Sequence, residues 1–171
     1  MKRHRSLYPL SRDHHQALVQ ARNLRLAAEA NDPDGLRQAA KGFAVFWKSD
    51  LQAHFWQEEQ FVLPLLAKRH SREGDEVEET LRQHAEIALL VAGLSDKLAR
   101  CEALEANLLA EIGESLRRHI RFEESELFPT IEASASEEEL SQMNEQLEKV
   151  RSHAGQSGCA LCQASALAID H

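Results

Sequence analysis

The sequence predicts an all-α protein, an antiparallel up-down four-helix bundle followed by a short additional C-terminal helix. Three observations carry that expectation. Apolar residues recur at spacings of three and four along four long segments, the period of a helix with one face turned inward. Ala, Leu, Glu, Gln and Arg, all strong helix formers, dominate the composition. Only 7 Gly and 4 Pro are spread over 171 residues, too few for the turns of an all-β chain. Short connections between successive segments imply antiparallel neighbours.

The first helix is predicted from about Leu10 to Ala30, with Ser11 as its N-cap. Its inward stripe reads Leu10, His14, Ala17, Ala21, Leu24 and Ala28. Asn31-Asp32-Pro33 reads as a stop and restart, since proline suits the first turn of a new helix. The second stripe runs Ala40, Phe43, Trp47, Leu51, His54, Glu58, Phe61 and Leu65, and Pro64 is expected to end or kink that helix. A third helix, beginning near Gly74, reads Val77, Leu81, His84, Ala88, Val91 and Leu98. After a break around Cys101 the fourth reads Leu108, Ile112, Leu116, His119, Glu123 and Leu127, stopping before Pro129. A shorter amphipathic helix is expected from Ser136, where Glu137 to Glu139 favour an N-terminus. Residues 1–152 thus read as one helical domain, and 153–171, small and polar, as a flexible tail.

Bulk properties narrow the function. A net charge of −8 speaks against a nucleic-acid partner, which needs a basic face. Nothing approaches the roughly 20 apolar residues of a membrane helix, so no membrane partner is expected. The opening MKRHRSLYPLSRDHH has no apolar run of signal-peptide length, which points to the cytoplasm. Three cysteines, two of them in the tail, do not form a disulfide framework.

The chemistry lies in a repeat. His54 to Pro64 (HFWQEEQFVLP) and His119 to Pro129 (HIRFEESELFP) both read H-x3-E-E-x4-P. Each is preceded, one helix earlier, by a histidine in an apolar stripe, His14 and His84. A His and a Glu at i and i+4 share one helix face, so each pair can bind one metal or the carboxylate can bridge two. His54 and His119 each stand ten residues before a proline, and His84 ten residues after Gly74. Each offset is about 15 Å of helix, which puts the three in one layer. His14, three residues past Ser11, fits that layer only if its helix sits lower or starts later, and His15 is its named replacement. A lone histidine on an apolar stripe is usually a hydrogen-bonded core residue. Six such polar groups, two of them carboxylates, need a compensating cation. Imidazole with carboxylate suits iron, manganese or zinc. Six protein donors exceed what one tetrahedral zinc uses, whereas two metals bridged by Glu58 and Glu123 use them economically.

The DHH start, the two H-x3-EE-x4-P helices and the single third-helix histidine resemble the hemerythrin-like (HHE cation-binding) family over about residues 10–130. The resemblance implies a four-helix bundle holding two iron ions with an oxo or hydroxo bridge, which binds or senses oxygen, nitric oxide or iron. By motif matching it makes His14, His54, His84 and His119 the imidazole ligands and Glu58 and Glu123 the bridges. The chain departs from oxygen-carrying hemerythrins at Ala88, where their third helix repeats the histidine, and at Glu123, where their bridging Asp follows the histidine by five residues rather than four. Simple reversible oxygen carriage is therefore not the expectation. The alternatives are a di-iron oxidase or peroxidase, or a metal-storage or structural metal bundle; no general base or nucleophile is legible beyond the ligands, so no catalytic residue is assigned.

Neighbouring residues are read more plainly. His15 shares a polar stripe and is placed outside. Glu59 and Glu124, one position off the inward face, read as a solvated edge. Phe43, Trp47, Phe55, Phe61 and Phe122 read as core that would keep a metal site dry. Cys159 and Cys162, near His153 and His171, form a lone C-x2-C, too little for a zinc site.

Overall fold

A computed structural model describes the backbone of residues 3–67 and 75–164, and the side chains of 3–67 and 76–152. The chain is all-helical, with no strand among the described residues. A 3-10 turn (Arg5–Leu7) leads into α1 (Tyr8–Ala30), which carries Pro9 in its first turn. Ser11 is therefore inside the helix and not its cap. Asn31 closes α1 in the left-handed conformation, its N–H donating to the Ala27 carbonyl. Asp32 then caps α2 (Pro33–Phe46) by accepting from Gly35 N–H at 2.8 Å, with Pro33 at the first position as expected.

From α2 the helix continues without a break to residue 67, through a π turn (Trp47–Leu51), α3 (Gln52–Gln57), a second π turn (Glu58–Val62) and α4 (Leu63–Ala67). Pro64 neither ends it nor breaks it. Having no N–H, and a ring that crowds the carbonyl four residues back, proline disfavours α geometry just ahead of itself. The wider turn, in which Leu63 N–H reaches the Glu58 carbonyl, accommodates it. The repeat behaves identically: α6 (Ala106–Phe122) passes through a π turn (Glu123–Leu127) into α7 (Phe128–Ser134), so the fourth helix does not stop before Pro129. Each wide turn holds an extra residue and rotates the stripe after it. Val62, Leu63 and Leu66 are the buried residues past Glu58, while Phe61 and Leu65 are only half-buried.

The third stripe keeps His84 and Val91 but shifts by one at two positions. Along α5 (Asp75–Ala99), Thr80, His84, Ile87, Val91 and Leu94 are buried, whereas Leu81 and Ala88, expected inside, are exposed. Thr80 can take a core position because its hydroxyl donates to the Glu76 carbonyl at 2.8 Å. Cys101, left-handed at φ 56°, ends α5, with Glu102 N–H returning to the Lys97 carbonyl. Leu109 rather than Leu108 is buried on α6, and Ala28 on α1 is half-buried. The last helix, α8 (Glu137–Ala164), is not short: it is helical to Ala164, past the point where a flexible tail was expected. Residues 165–171 and the side chains of His153, Cys159 and Cys162 lie outside the described part.

The helices build two apolar clusters with a polar layer between them. One joins Ala17 and Leu24 of α1, Phe43 of α2, Ile87 and Val91 of α5, and Ile112 and Leu116 of α6. The other joins Leu7 and Leu10 to Val62, Leu127 and Phe128, and is closed by Leu140, Met143 and Leu147 of α8. α1 and α6 approach so closely that a Cβ on Gly113 would lie 2.8 Å from the Ala21 carbonyl oxygen.

Candidate metal centre

Between the two clusters, α1, α3, α5, α6 and two π turns bring His14, His54, Glu58, His84, His119 and Glu123 into one layer. All six are buried, the two carboxylates completely. His14 needs no later helix start. α1 begins earlier than expected, and the end it does not reach is filled by the 3-10 turn and α8.

The donor atoms fall into two groups of four, His14, His54, Glu58 and Glu123, and Glu58, His84, His119 and Glu123, each lying within 4.8 Å of one another. Both carboxylates belong to both groups. Glu58 Oε1 is 3.1 Å from His54 Nε2 and 3.6 Å from His14 Nε2, and its Oε2 is 3.4 Å from His84 Nε2. Glu123 Oε2 is 3.0 Å from His14 Nε2 and 3.3 Å from His119 Nε2. The two π turns start at Glu58 and Glu123 themselves, so the wide turns sit where both shared carboxylates leave the backbone.

Every imidazole turns Nε2 inward and Nδ1 outward, and three of the outward nitrogens are braced. His14 Nδ1–H donates to Glu124 at 2.7 Å, His84 Nδ1–H to Glu59 at 2.8 Å, and His119 Nδ1–H to the Gln83 carbonyl oxygen at 3.1 Å. Asp13 Oδ2 stands 3.4 Å from His54 Nδ1. Outer partners of this kind orient ligating imidazoles and raise their donor strength. Glu59 and Glu124 are thus not a merely solvated edge. The signal in the sequence was the doubled glutamate: one position on is 100° round the helix, toward the neighbouring helix and its histidine. Asp13 and Gln83 each immediately precede a site histidine, and sequence reasoning missed both. His15 is exposed, as expected. Phe55 stacks on His84 with centroids 3.9 Å apart, and Phe128 stacks on His14 at 5.4 Å. Phe43, Trp47 and Phe55 are buried, while Phe61 and Phe122 are half-buried at the edge.

The residues fit a metal by a direct criterion. Both oxygens of Glu58 and of Glu123, and Nε2 of His84 and of His119, are buried with no hydrogen-bond partner. Orphaned acceptors facing one another are costly unless a cation lies between them. Protons partly serve that purpose in the ion-free protein. Burial disfavours the charged form of His54, yet Glu58 and Asp13 outweigh it and lift the imidazole to about 9. His14 is raised well above its ordinary value against the same burial, by Glu123, Glu124 and Glu58. Burial works against Glu58, but the facing histidines hold it well below the carboxylate range. Glu123 is pushed up by burial and by the charge of Glu58.

A family model, the hemerythrin HHE cation binding domain, matches residues 6–131. The chain belongs to that family. The match begins within the 3-10 turn, covers all six converging residues, and ends before α8. A hemerythrin HHE domain implies metal-ion binding, and this one has two overlapping His/Glu groups able to hold it. Comparison with curated proteins and with solved structures returns no match. No described helix is long and apolar enough to cross a membrane.

Proposed function

We propose that the chain is a non-haem di-iron protein of the hemerythrin-like type, an antiparallel up-down four-helix bundle that binds or senses oxygen or nitric oxide. The observation that carries this reading is the sharing of Glu58 and Glu123 between the two four-residue groups. One ion would be held by His14 and His54, a second by His84 and His119, with both carboxylates common to the pair. Four protein donors for each ion would leave room for a small ligand, and iron, when bound, would supply redox chemistry there. The protein's part is to orient and to exclude water. Phe55 and Phe128 cover two of the imidazoles, the outer partners orient the rings, and the apolar clusters close the layer above and below.

The test is metal content together with the visible absorption of protein purified without added metal. About two irons per chain with absorption bands of a bridged ferric pair are expected; zinc, or no metal, would overturn the iron assignment. Mixing the reduced protein with oxygen or nitric oxide should then give a lasting adduct or a single slow oxidation. Sustained consumption of oxygen or peroxide with a reductant, over many turnovers, would mark an oxidase or peroxidase instead.

A further inference from the structure

Three of the four outward imidazole nitrogens are closed by a partner; the fourth is not. His54 Nδ1 is buried and makes no well-formed hydrogen bond; Asp13 Oδ2 faces it loosely at 3.4 Å. That carboxylate is taken up by Arg151, whose Nη2 donates to it at 2.6 Å while Nε donates to Gln57 Oε1 at 2.9 Å. Arg151 lies on α8, outside the matched residues 6–131. Asp13, His54, Gln57 and Arg151 together border a cavity of about 220 Å³. Asp13 therefore has room to turn away from His54, and a group from α8 holds it beside the ring instead.

We propose that Arg151 is a positioning residue for the centre. Through Arg151 and Asp13, α8 sets how firmly His54 is held, so seating α8 and holding an ion at the His14/His54 position are coupled. This rests on the two-ion reading above. The guanidinium spans Asp13 of α1 and Gln57 of α3, a charge-assisted pair that fixes the carboxylate beside the ring. Without it, a carboxylate with 35% of its side chain exposed turns to water and the brace is lost.

The experiment titrates the metal-free full-length chain with Co(II), read by visible absorption and calorimetry. Wild type should fill in two steps. Arg151→Gln should weaken one step about 10-fold and leave the other, the size of effect outer-partner changes have on metal affinity. Arg151→Lys should recover part of it. Asp13→Asn should weaken the same step, and the double variant should be no weaker than Asp13→Asn alone. Equal weakening of both steps, no change in either, or additive losses would overturn the proposal and leave α8 a mere cover. In the metal-free chain, the His54 Nδ1 nitrogen resonance should shift in Arg151→Gln and stay put if the role is only structural. If wild type binds no Co(II), the two-ion reading fails, and that resonance still decides whether Arg151 governs His54.

Discussion

The two halves of the centre are alike inside and unlike outside. His14 and His54 face Glu58 and Glu123 much as His84 and His119 do. Behind them the likeness ends. Glu124 is tied to Arg3 at 2.6 Å and to Ser11 at 2.7 Å, and Asp13 to Arg151, so the first half is braced by carboxylates that are themselves anchored by residues near the two ends of the described chain. The second half is braced by Glu59 and by an amide, Gln83, whose nitrogen donates to Glu79 at 2.5 Å. The repeated H-x3-EE segments thus supply the converging groups and one outer partner to each half, and the halves differ in the partner from outside the repeat, Asp13 in one and Gln83 in the other. A neutral amide leaves His119 a weaker donor than a carboxylate partner would.

The largest effect should come from the residues both halves share. Glu58→Gln should abolish the filling of both positions together, lowering iron from about two per chain to nearly none. It should also erase the gain in melting temperature that iron gives wild type, about 4 kcal/mol at a thousandfold excess of metal over its dissociation constant. The metal-free variant should melt below metal-free wild type, because the facing histidines lose the charged partner that Glu58 supplies. Retention of one full ion would show that the halves do not share Glu58. Next in size is Gln83→Glu, which makes the second half resemble the first. The Co(II) step assigned to His84 and His119 should tighten, up to about 10-fold, with the other step unchanged; weakening would mean the amide is there to limit the negative charge around His84 and His119.

A change to the scaffold should leave the contrast between halves intact. Gly113→Ala puts a methyl 2.8 Å from the Ala21 carbonyl oxygen, a position that forces α1 and α6 apart. About 1–3 kcal/mol of stability should be lost in denaturant melts, with the ratio of the two Co(II) affinities unaltered. If that ratio moves, the halves are coupled through the α1–α6 contact and not only through the two carboxylates.

How much of this was legible followed the reach of each signal. The six converging residues could be read because burying charge in an apolar stripe is rare, and a repeat makes chance rarer. That the chain is all-helical could be read from period and composition. The shift to Val62 and Leu66, where Phe61 and Leu65 were expected, could not, because a 3.6-residue count assumes a turn that Pro64 does not permit. On α5 the buried Thr80 stands where the apolar stripe pointed to Leu81, because the helix itself satisfies its hydroxyl. The outer partners escaped because Asp13, Gln83 and Glu124 lie off every apolar stripe, and only the facing helix gives them meaning. The length of α8 was not legible because the sequence past Ser152 turns small and polar, the composition of a loose tail.

The smallest expected effect decides what Ser11 is for. As an N-cap its loss would cost helix stability, about 1 kcal/mol, with or without metal. In the folded chain its hydroxyl instead donates to Glu124 Oε1 at 2.7 Å, the same oxygen that accepts from His14 Nδ1–H. Two donors on one carboxylate oxygen, with Arg3 on the other, hold Glu124 against His14 from three sides. Removing Ser11 leaves Arg3 on the carboxylate, which should loosen the brace without releasing it. Ser11→Ala should therefore leave the metal-free stability within about 0.5 kcal/mol of wild type, as an ordinary surface change would. The Co(II) step assigned to His14 and His54 should weaken only a few-fold, less than in Arg151→Gln, and the other step should not move. A metal-independent loss of the full cap energy would return Ser11 to the helix terminus. Loss in both Co(II) steps would mean that Glu124 acts on the shared Glu123 beside it, and the distinction between the two halves would then rest on Asp13 alone.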